Sequence, residues 1–77
     1  MNENKWYVSY GIHRGTLMSR DTATEYFENE QDARDYFSTI IASYQPGKDR
    51  FGYVLWFASL YNADGKQVSQ VNGYPYN

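Results

Sequence analysis

The sequence contains no cysteine and a single histidine, His13. Without cysteine the chain forms no disulfide, and nucleophilic catalysis by a Cys–His pair is excluded. A Ser–His–Asp arrangement would depend entirely on His13, which we expect to be a solvent-exposed residue at the end of a strand. The glycines are scattered rather than gathered in a phosphate-binding loop. We therefore predict that the protein is not an enzyme and uses no cofactor or metal.

Long apolar runs and an excess of positive charge are also lacking. No stretch approaches the roughly 20 apolar residues of a membrane span, and the first residues do not show the charged and apolar segments of a signal peptide. The formal net charge of −2 disfavours binding that relies on neutralising phosphate groups. These absences predict a cytoplasmic protein that does not bind membranes.

Aromatic residues, in contrast, are abundant and make up 19% of the chain. With 77 residues the chain has the length of one domain, so we predict a single small domain over residues 1–77. A domain of this size buries a modest core, and each aromatic side chain can bury about 150–250 Å². We expect stability to come from aromatic packing, or from association with a partner or a second copy.

The periodicity of apolar residues predicts five elements in the order β-β-α-β-β. The predicted strands cover residues 5–13, 22–28, 50–62 and 66–71, and the predicted helix covers residues 29–47. Residues 14–21 are interpreted as a turn that could extend a flanking strand, and Asp64-Gly65 as a tight hairpin turn. The predicted fold class is α+β, a four-stranded, mostly antiparallel sheet with one helix packed on one face.

The helix is the most clearly marked element. Asn29 is a suitable N-cap residue, and Glu30 with Arg34 has the spacing of a favourable ion pair on a helix surface. Pro46 and Gly47 are predicted to end the helix. Its apolar stripe, which can cover one face of the sheet, consists of Ala33, Tyr36, Phe37, Ile40, Ile41 and Tyr44.

One helix leaves the second face of the predicted sheet without a partner. In the first strand, the face predicted to be buried carries Trp6, Val8, Tyr10 and Ile12. In strand 50–62 we expect the even-numbered residues to meet the helix: Gly52, Val54, Trp56, Ala58 and Leu60. The odd-numbered face, with Tyr7 as its expected neighbour, carries Phe51, Tyr53, Leu55, Phe57, Ser59 and Tyr61. Either loops such as residues 14–21 or 74–76 cover this face, or it binds a partner.

Acidic residues form a second candidate binding feature. They are concentrated around the start of the predicted helix and include Asp21, Glu25, Glu28, Glu30, Asp32 and Asp35. Such a patch increases the rate and specificity of binding to a basic surface. The predicted partner-binding residues are therefore the aromatic residues Tyr7, Phe51, Tyr53, Phe57 and Tyr61 and the acidic residues Glu25, Glu28, Asp32 and Asp35.

Two segments resemble strands of a known family. Phe51-Gly52-Tyr53-Val54-Leu55-Trp56 resembles the aromatic part of the signature strand of the RNA recognition motif, and Trp6-Tyr7-Val8-Ser9-Tyr10-Gly11 is similar to that family's other aromatic strand. The resemblance implies a base-stacking platform formed by Tyr7, Phe51 and Tyr53. Asp49 and Arg50 depart from the basic residue and the glycine of the family pattern, and the element order differs. We interpret the likeness as a shared strand pattern rather than common ancestry.

We expect a non-catalytic protein-binding module. Its partner would be a host protein or a second copy of the chain, bound through the aromatic sheet face with the acidic patch assisting orientation. A small, acidic, cysteine-free chain is also typical of phage or mobile-element inhibitors of host defence machinery, including inhibitors of CRISPR complexes, an association that no residue motif carries. Two alternatives stay open: a single-stranded nucleic-acid-binding protein that uses Tyr7, Phe51 and Tyr53, and a homodimeric structural or accessory protein.

Overall fold

In the part of the chain that the structure describes, a four-stranded antiparallel sheet is covered on one face by one α-helix. The computed structural model describes residues 5–14 and 16–74, with only the backbone for residues 16–19. The elements are β1 (Trp6–Arg14), β2 (Thr16–Phe27), α1 (Glu30–Ser43), β3 (Val54–Tyr61) and β4 (Gln67–Asn72). The strand order is β2-β1-β3-β4, and every neighbouring pair is antiparallel. The predicted fold class and element order are confirmed.

The first hairpin is longer than the sequence predicts. Most of the stretch interpreted as a turn, residues 16–21, belongs to β2. Asp21 and Arg20 pair with Ile12 and His13, and after a register shift Thr16 pairs with Arg14. The strand therefore begins six residues before the predicted start at residue 22, which is the strand extension that the interpretation left open. Pairing with β1 decides the conformation of this polar stretch, since the strand preference of a segment depends on its neighbours. Gly15, predicted to lie in the turn, is outside the described residues.

Strand β3, in contrast, is shorter at its start than the predicted strand over residues 50–62. The carboxylate of Asp49 accepts hydrogen bonds from the backbone N–H groups of Phe51 and Tyr53, at 3.0 and 3.1 Å. Between them Gly52 has a φ of 86°, a left-handed conformation that interrupts a strand. Phe51 and Tyr53 therefore precede the sheet, and β3 begins at Val54.

The predicted start of α1 is confirmed in its details. The Asn29 side chain accepts a hydrogen bond from the Asp32 backbone N–H at 2.9 Å, which caps the first turn. Arg34 Nε lies 2.6 Å from Glu30 Oε2, as the spacing predicts. The helix ends before the predicted proline and glycine, because the backbone at Tyr44 has already left the helical conformation. The apolar stripe thus forms on a helix of 14 residues.

The second hairpin turn is also confirmed. Gly65 has a φ of 82°, which glycine adopts without steric strain. The Asn62 side chain accepts hydrogen bonds from the backbone N–H groups of Asp64 and Lys66, at 2.9 and 3.0 Å. The turn is closed by hydrogen bonds within a few residues, so its position could be read from the sequence.

The core lies between α1 and one face of the sheet. Its buried side chains are Val8, Ala33, Phe37, Ile40, Leu55, Ala58 and Leu60. Half-buried side chains pack around them, among them Trp6, Tyr10, Phe27, Tyr36, Ile41, Tyr44 and Val71. The prediction that Trp6, Val8 and Tyr10 lie on the helix-facing side of the first strand is confirmed.

A β-bulge in β3 changes which of its residues face the helix. In the β1–β3 ladder Gly11 is opposite Phe57, whereas the next residue, Ile12, is opposite Leu55. Trp56 is therefore an extra residue on β3, and the strict alternation of side chains is interrupted at this point.

The bulge overturns part of the predicted assignment of faces. Leu55, predicted to face away from the helix, is 1% exposed and packs in the core with Ala58 and Leu60. Trp56, predicted to meet the helix, lies on the opposite face, against Phe57. The error follows from the assumption that side chains alternate without interruption from residue 50 to 62.

Leu55→Ala tests the side of β3 that enters the core. We expect the free energy of unfolding to fall by about 2–5 kcal/mol, because the substitution removes buried methyl groups and leaves a cavity. Tyr53→Ala, at a half-exposed residue before the strand, should cost much less. Urea denaturation of both variants measures the difference, and equal small losses would contradict the bulged register.

Tyrosines at the border between α1 and the sheet make stability sensitive to alkaline pH. Tyr36 and Tyr44 lie with their ring centroids 6.2 and 6.4 Å from that of Tyr10. Burial, a hydrogen bond with Tyr10, and the nearby Tyr10 and Glu25 groups raise the pKa of Tyr36 above its ordinary value of about 10. Burial, followed by the influence of Tyr10 and Asp49, also raises the pKa of Tyr44.

The direction of these pKa shifts predicts alkaline destabilisation. A tyrosine with a raised pKa in the folded state contributes stability that is fully present below about pH 10 and is lost as the pH rises towards the folded pKa. We expect Tyr36→Phe to reduce the slope of unfolding free energy against pH above about pH 10. The substitution also removes the hydrogen bond between Tyr36 and Tyr10, which lowers stability at every pH below the titration. The test therefore compares the pH dependence of the unfolding free energy and not its absolute value. An unchanged slope would contradict the assignment.

Candidate functional site

The sheet face opposite α1, which we call the open face, carries side chains from all four strands. The ladder register arranges them in four cross-strand rows: Tyr26–Tyr7–Tyr61, Thr24–Ser9–Ser59–Gln70, Thr22–Gly11–Phe57–Asn72 and Arg20–His13–Val54. Within the described residues no helix packs on this face, since α1 lies on the other side. On the edge strands β2 and β4 the residues of these rows are exposed, whereas His13 and Ser59 on the central strands are buried. A partner can therefore reach the open face mainly through its edge strands.

The first of these rows, which we call the tyrosine row, is a continuous aromatic surface. The Tyr7 and Tyr61 rings are stacked, with centroids 4.6 Å apart and planes inclined by 11°. The Tyr26 ring lies 5.3 Å from the Tyr7 ring, and Tyr26 is 49% exposed. Beside this row, a Lys5 Nζ to Glu28 Oε2 contact of 2.9 Å pairs two opposite charges. The row can thus contact a partner without leaving an unpaired carboxylate beside it.

The opposite end of the open face combines aromatic rings with a cation. The Trp56 and Phe57 rings meet edge to face, with centroids 5.4 Å apart. The Arg20 guanidinium carbon lies 4.8 Å from the centroid of the Trp56 ring, within the range of a cation–π contact. Between the two ends, the Thr24 hydroxyl donates a 3.3 Å hydrogen bond to the Ser9 hydroxyl. The face is therefore aromatic at both ends and polar in the middle.

His13 has a structural environment that the sequence did not predict. It was expected to be solvent-exposed, but it is 1% exposed and lies on β1, a central strand that pairs on both sides. Its Nε2 lies 2.6 Å from the backbone carbonyl oxygen of Tyr74, so Nε2 carries the proton and donates. The Tyr74 N–H donates to the Leu55 carbonyl in turn. His13 thus attaches the segment after β4 to the sheet.

The structure divides the predicted aromatic site into two groups. Tyr7, Phe57 and Tyr61 lie on the open face. Phe51 and Tyr53 lie before β3, beyond the end of β1 that is distant from Tyr7, about 20 Å away at the usual rise per residue. The base-stacking platform that the resemblance implied from Tyr7, Phe51 and Tyr53 is therefore not assembled.

The separated pair has its own surroundings. Phe51 is 60% exposed, and the Arg50 guanidinium carbon lies 5.1 Å from its ring centroid. The Arg14 guanidinium carbon lies 5.3 Å from the centroid of the Tyr53 ring. The Phe51 and Tyr53 rings therefore contact neighbouring arginine side chains and do not extend the tyrosine row.

The predicted acidic residues do not share the open face. Glu25 is opposite a core residue of β1 and lies on the helix-facing side of the sheet, while Asp32 and Asp35 belong to α1. Glu28 forms the ion pair with Lys5. The predicted site is thus divided among the open face, the separate pair Phe51 and Tyr53, and the acidic residues on the side of α1, with Glu28 beside the tyrosine row.

Among the residues of the open face that were missing from the predicted site, two are aromatic and one is a cation. Tyr26 lies on a strand that reads as polar, and only the β1–β2 register places it beside Tyr7. Trp56 was assigned to the core, and Arg20 to a turn. Gly11 is a signal that could have identified Trp56, because a glycine inside a strand indicates a bulge or a close approach.

Comparison with known proteins provides no further indication of function, so the functional argument rests on the geometry described above. No protein-family model, curated protein or solved structure matches the chain. Within residues 5–14 and 16–74, no helix combines the length and apolarity needed to cross a membrane. The same residues contain no group of three or more acidic or histidine side chains that could hold a metal ion.

Gly11→Ala tests the packing of the rings at the bulge. A Cβ at this position would lie 2.6 Å from Phe57 Cε1 and 2.7 Å from Trp56 Cε3, closer than carbon atoms approach. We expect a loss of about 1–3 kcal/mol of unfolding free energy, because the rings must shift. Thr22→Ala, directly opposite Gly11 on the exposed strand β2, is the matched control. Equal stabilities in urea denaturation would show that the rings do not occupy this space.

Proposed function

We propose that the protein is a non-catalytic protein-binding module whose open face contacts its partner through the tyrosine row. The observation that carries the proposal is that rings from three neighbouring strands, Tyr26, Tyr7 and Tyr61, contact one another on a sheet face that α1 does not cover. A tyrosine has a large apolar body and a polar tip, which suits a surface that is wet when free and dry when bound.

The charge of the open face favours particular partners. Arg20 is the one residue of the four rows with a permanent charge, and its guanidinium lies over the Trp56 ring. The carboxylates of Glu25, Asp32 and Asp35 are on the other side of the sheet. A protein surface that is apolar, or apolar with an acidic residue near Arg20, therefore complements this face.

Single-stranded nucleic acid is a second candidate, and one observation favours it. Aromatic rings on neighbouring strands of an open antiparallel sheet can stack bases, at about 1–3 kcal/mol per base. The rings available for this are Tyr7, Tyr26 and Tyr61, with Arg20 on the same face. The net charge of −2 and the lack of further cations in the four rows make it the weaker proposal. Inhibition of host defence machinery stays a prediction.

Tyr26→Ala tests the proposed contact. Because Tyr26 is half exposed, we expect the variant to fold. Removal of the Tyr26 ring should weaken partner binding at least tenfold, which corresponds to about 1.4 kcal/mol of binding free energy. The immobilised wild-type chain is used to capture candidate partners from an extract of the cells that produce it. Titration calorimetry then measures the affinity of each candidate for the wild type, for Tyr26→Ala and for Ser38→Ala. Ser38 is exposed on α1 and provides the matched control.

Two further measurements separate the alternatives. Salt-sensitive binding of an oligothymidine that Tyr26→Ala abolishes would support the nucleic-acid proposal instead. Sedimentation that shows a dimer of the wild type and a monomer of Tyr26→Ala would identify a second copy as the partner. A captured protein that binds Tyr26→Ala and wild type equally would contradict a contact through the tyrosine row.

A further inference from the structure

Strand β2 is an open edge of the sheet. It pairs with β1 on one side, and among the described residues no strand pairs with its outer side. At 12 residues it is twice as long as the other edge strand, β4, which has 6. The outer edge of a terminal strand presents unpaired N–H and C=O groups that can hydrogen-bond to an added strand.

The backbone of β2 is suited to such an addition. From Arg20 to Phe27 its ladder with β1 is continuous, without a bulge, and the segment contains no proline. Residues 20–26 are all exposed. Strand β4 is less suitable because its short ladder with β3 shifts register between Leu60 and Tyr61. An extended segment of about seven residues can therefore pair along β2.

The charges along β2 indicate which segment fits. Asp21, Ala23 and Glu25 alternate on the helix-facing side, because they are opposite Ile12, Tyr10 and Val8 in the ladder. Residues directly opposite each other on paired strands share a face and interact, favourably when their charges are opposite. A strand with lysine or arginine opposite Asp21 and Glu25 would gain two cross-strand ion pairs.

The same charges disfavour one pairing of β2 with a second copy of the chain. The two-fold antiparallel arrangement centred on Ala23 pairs the full length of residues 20–26, and it places Asp21 opposite Glu25 of the second copy. Like charges directly opposite each other destabilise a strand pair. A basic segment gains ion pairs at Asp21 and Glu25 that no copy of β2 supplies in this register, so the edge favours a basic segment of a different protein.

We propose that the outer edge of β2 binds an extended, basic segment of a partner protein, which adds to the sheet as a fifth strand with its cations opposite Asp21 and Glu25. On its other face the added strand would lie beside Thr22, Thr24 and Tyr26, where small, β-branched or aromatic side chains fit. The recognised pattern is thus basic residues alternating with such side chains. This contact does not depend on the proposed use of the tyrosine row.

Synthetic peptides test the proposal on the full chain. The first probe is an acetylated and amidated seven-residue peptide in which lysine alternates with valine and threonine, and the second has glutamate in place of lysine. We expect the lysine peptide to bind at least tenfold more tightly. In amide hydrogen exchange followed by NMR, it should also slow the exchange of the outward-facing N–H groups of residues 20–27. Binding of both peptides with equal affinity would overturn the selection by charge.

A modified peptide and a variant of the protein separate strand addition from simple charge attraction. A lysine peptide methylated at alternate backbone nitrogens cannot donate to β2 and should bind at least tenfold less tightly, whereas retained affinity would overturn strand pairing. The double variant Asp21→Lys, Glu25→Lys should prefer the glutamate peptide, with circular dichroism confirming that it folds. An unchanged preference for lysine would overturn the assignment of these carboxylates.

Two controls complete the test. Ser38→Ala, at an exposed residue of α1, should leave the affinity for the lysine peptide unchanged. Sedimentation that shows a wild-type dimer with protected amides in residues 20–27 would overturn the proposal, because a second copy would then occupy the edge. Absence of lysine-peptide binding would also overturn it but would leave the open-face proposal standing, since that rests on partner capture and on Tyr26→Ala.

Discussion

The packing of the Trp56 and Phe57 rings against Gly11 determines which side of β3 enters the core. The rings occupy the space that a side chain at residue 11 would fill, and the bulge places both of them on the open face. Leu55 is consequently turned towards α1, where it packs with Ala58. Because one helix buries one face of the sheet, the same bulge also sets the composition of the face that stays open.

The sheet separates two surfaces of different chemistry. Successive residues of β2 point to opposite faces, so the neighbours Glu25 and Tyr26 contribute to different surfaces. The open face is aromatic and hydroxyl-rich with Arg20 at one end, whereas the carboxylates of Asp21, Glu25, Asp32 and Asp35 lie on the side of α1. The outer edge of β2 lies at the boundary between the two surfaces, and Tyr26 is the residue that the two proposed contacts share.

The sequence predicted elements whose signals are local and failed where pairing between strands decides the outcome. The Asn29 cap and the Asp64-Gly65 turn are where their residue types indicate, because their hydrogen bonds close within a few residues. His13 lies on a central strand and contacts the Tyr74 carbonyl, and Tyr26 lies beside Tyr7 because of the β1–β2 ladder. Neither could be obtained from the alternation of one strand considered alone.

The amino-acid sequence by itself determined the fold class, the start of α1 and the second hairpin, together with the absence of any disulfide. The tertiary structure decided the strand order, the length of β2 and the faces of Leu55 and Trp56. The physical reason is the range of the interactions. Caps and tight turns are stabilised by neighbouring residues, whereas the register between β1 and β3 joins residues more than forty positions apart, such as Gly11 and Phe57. The bulge and the two rings packed over Gly11 occur at that long-range contact, which the periodicity of one strand does not reveal.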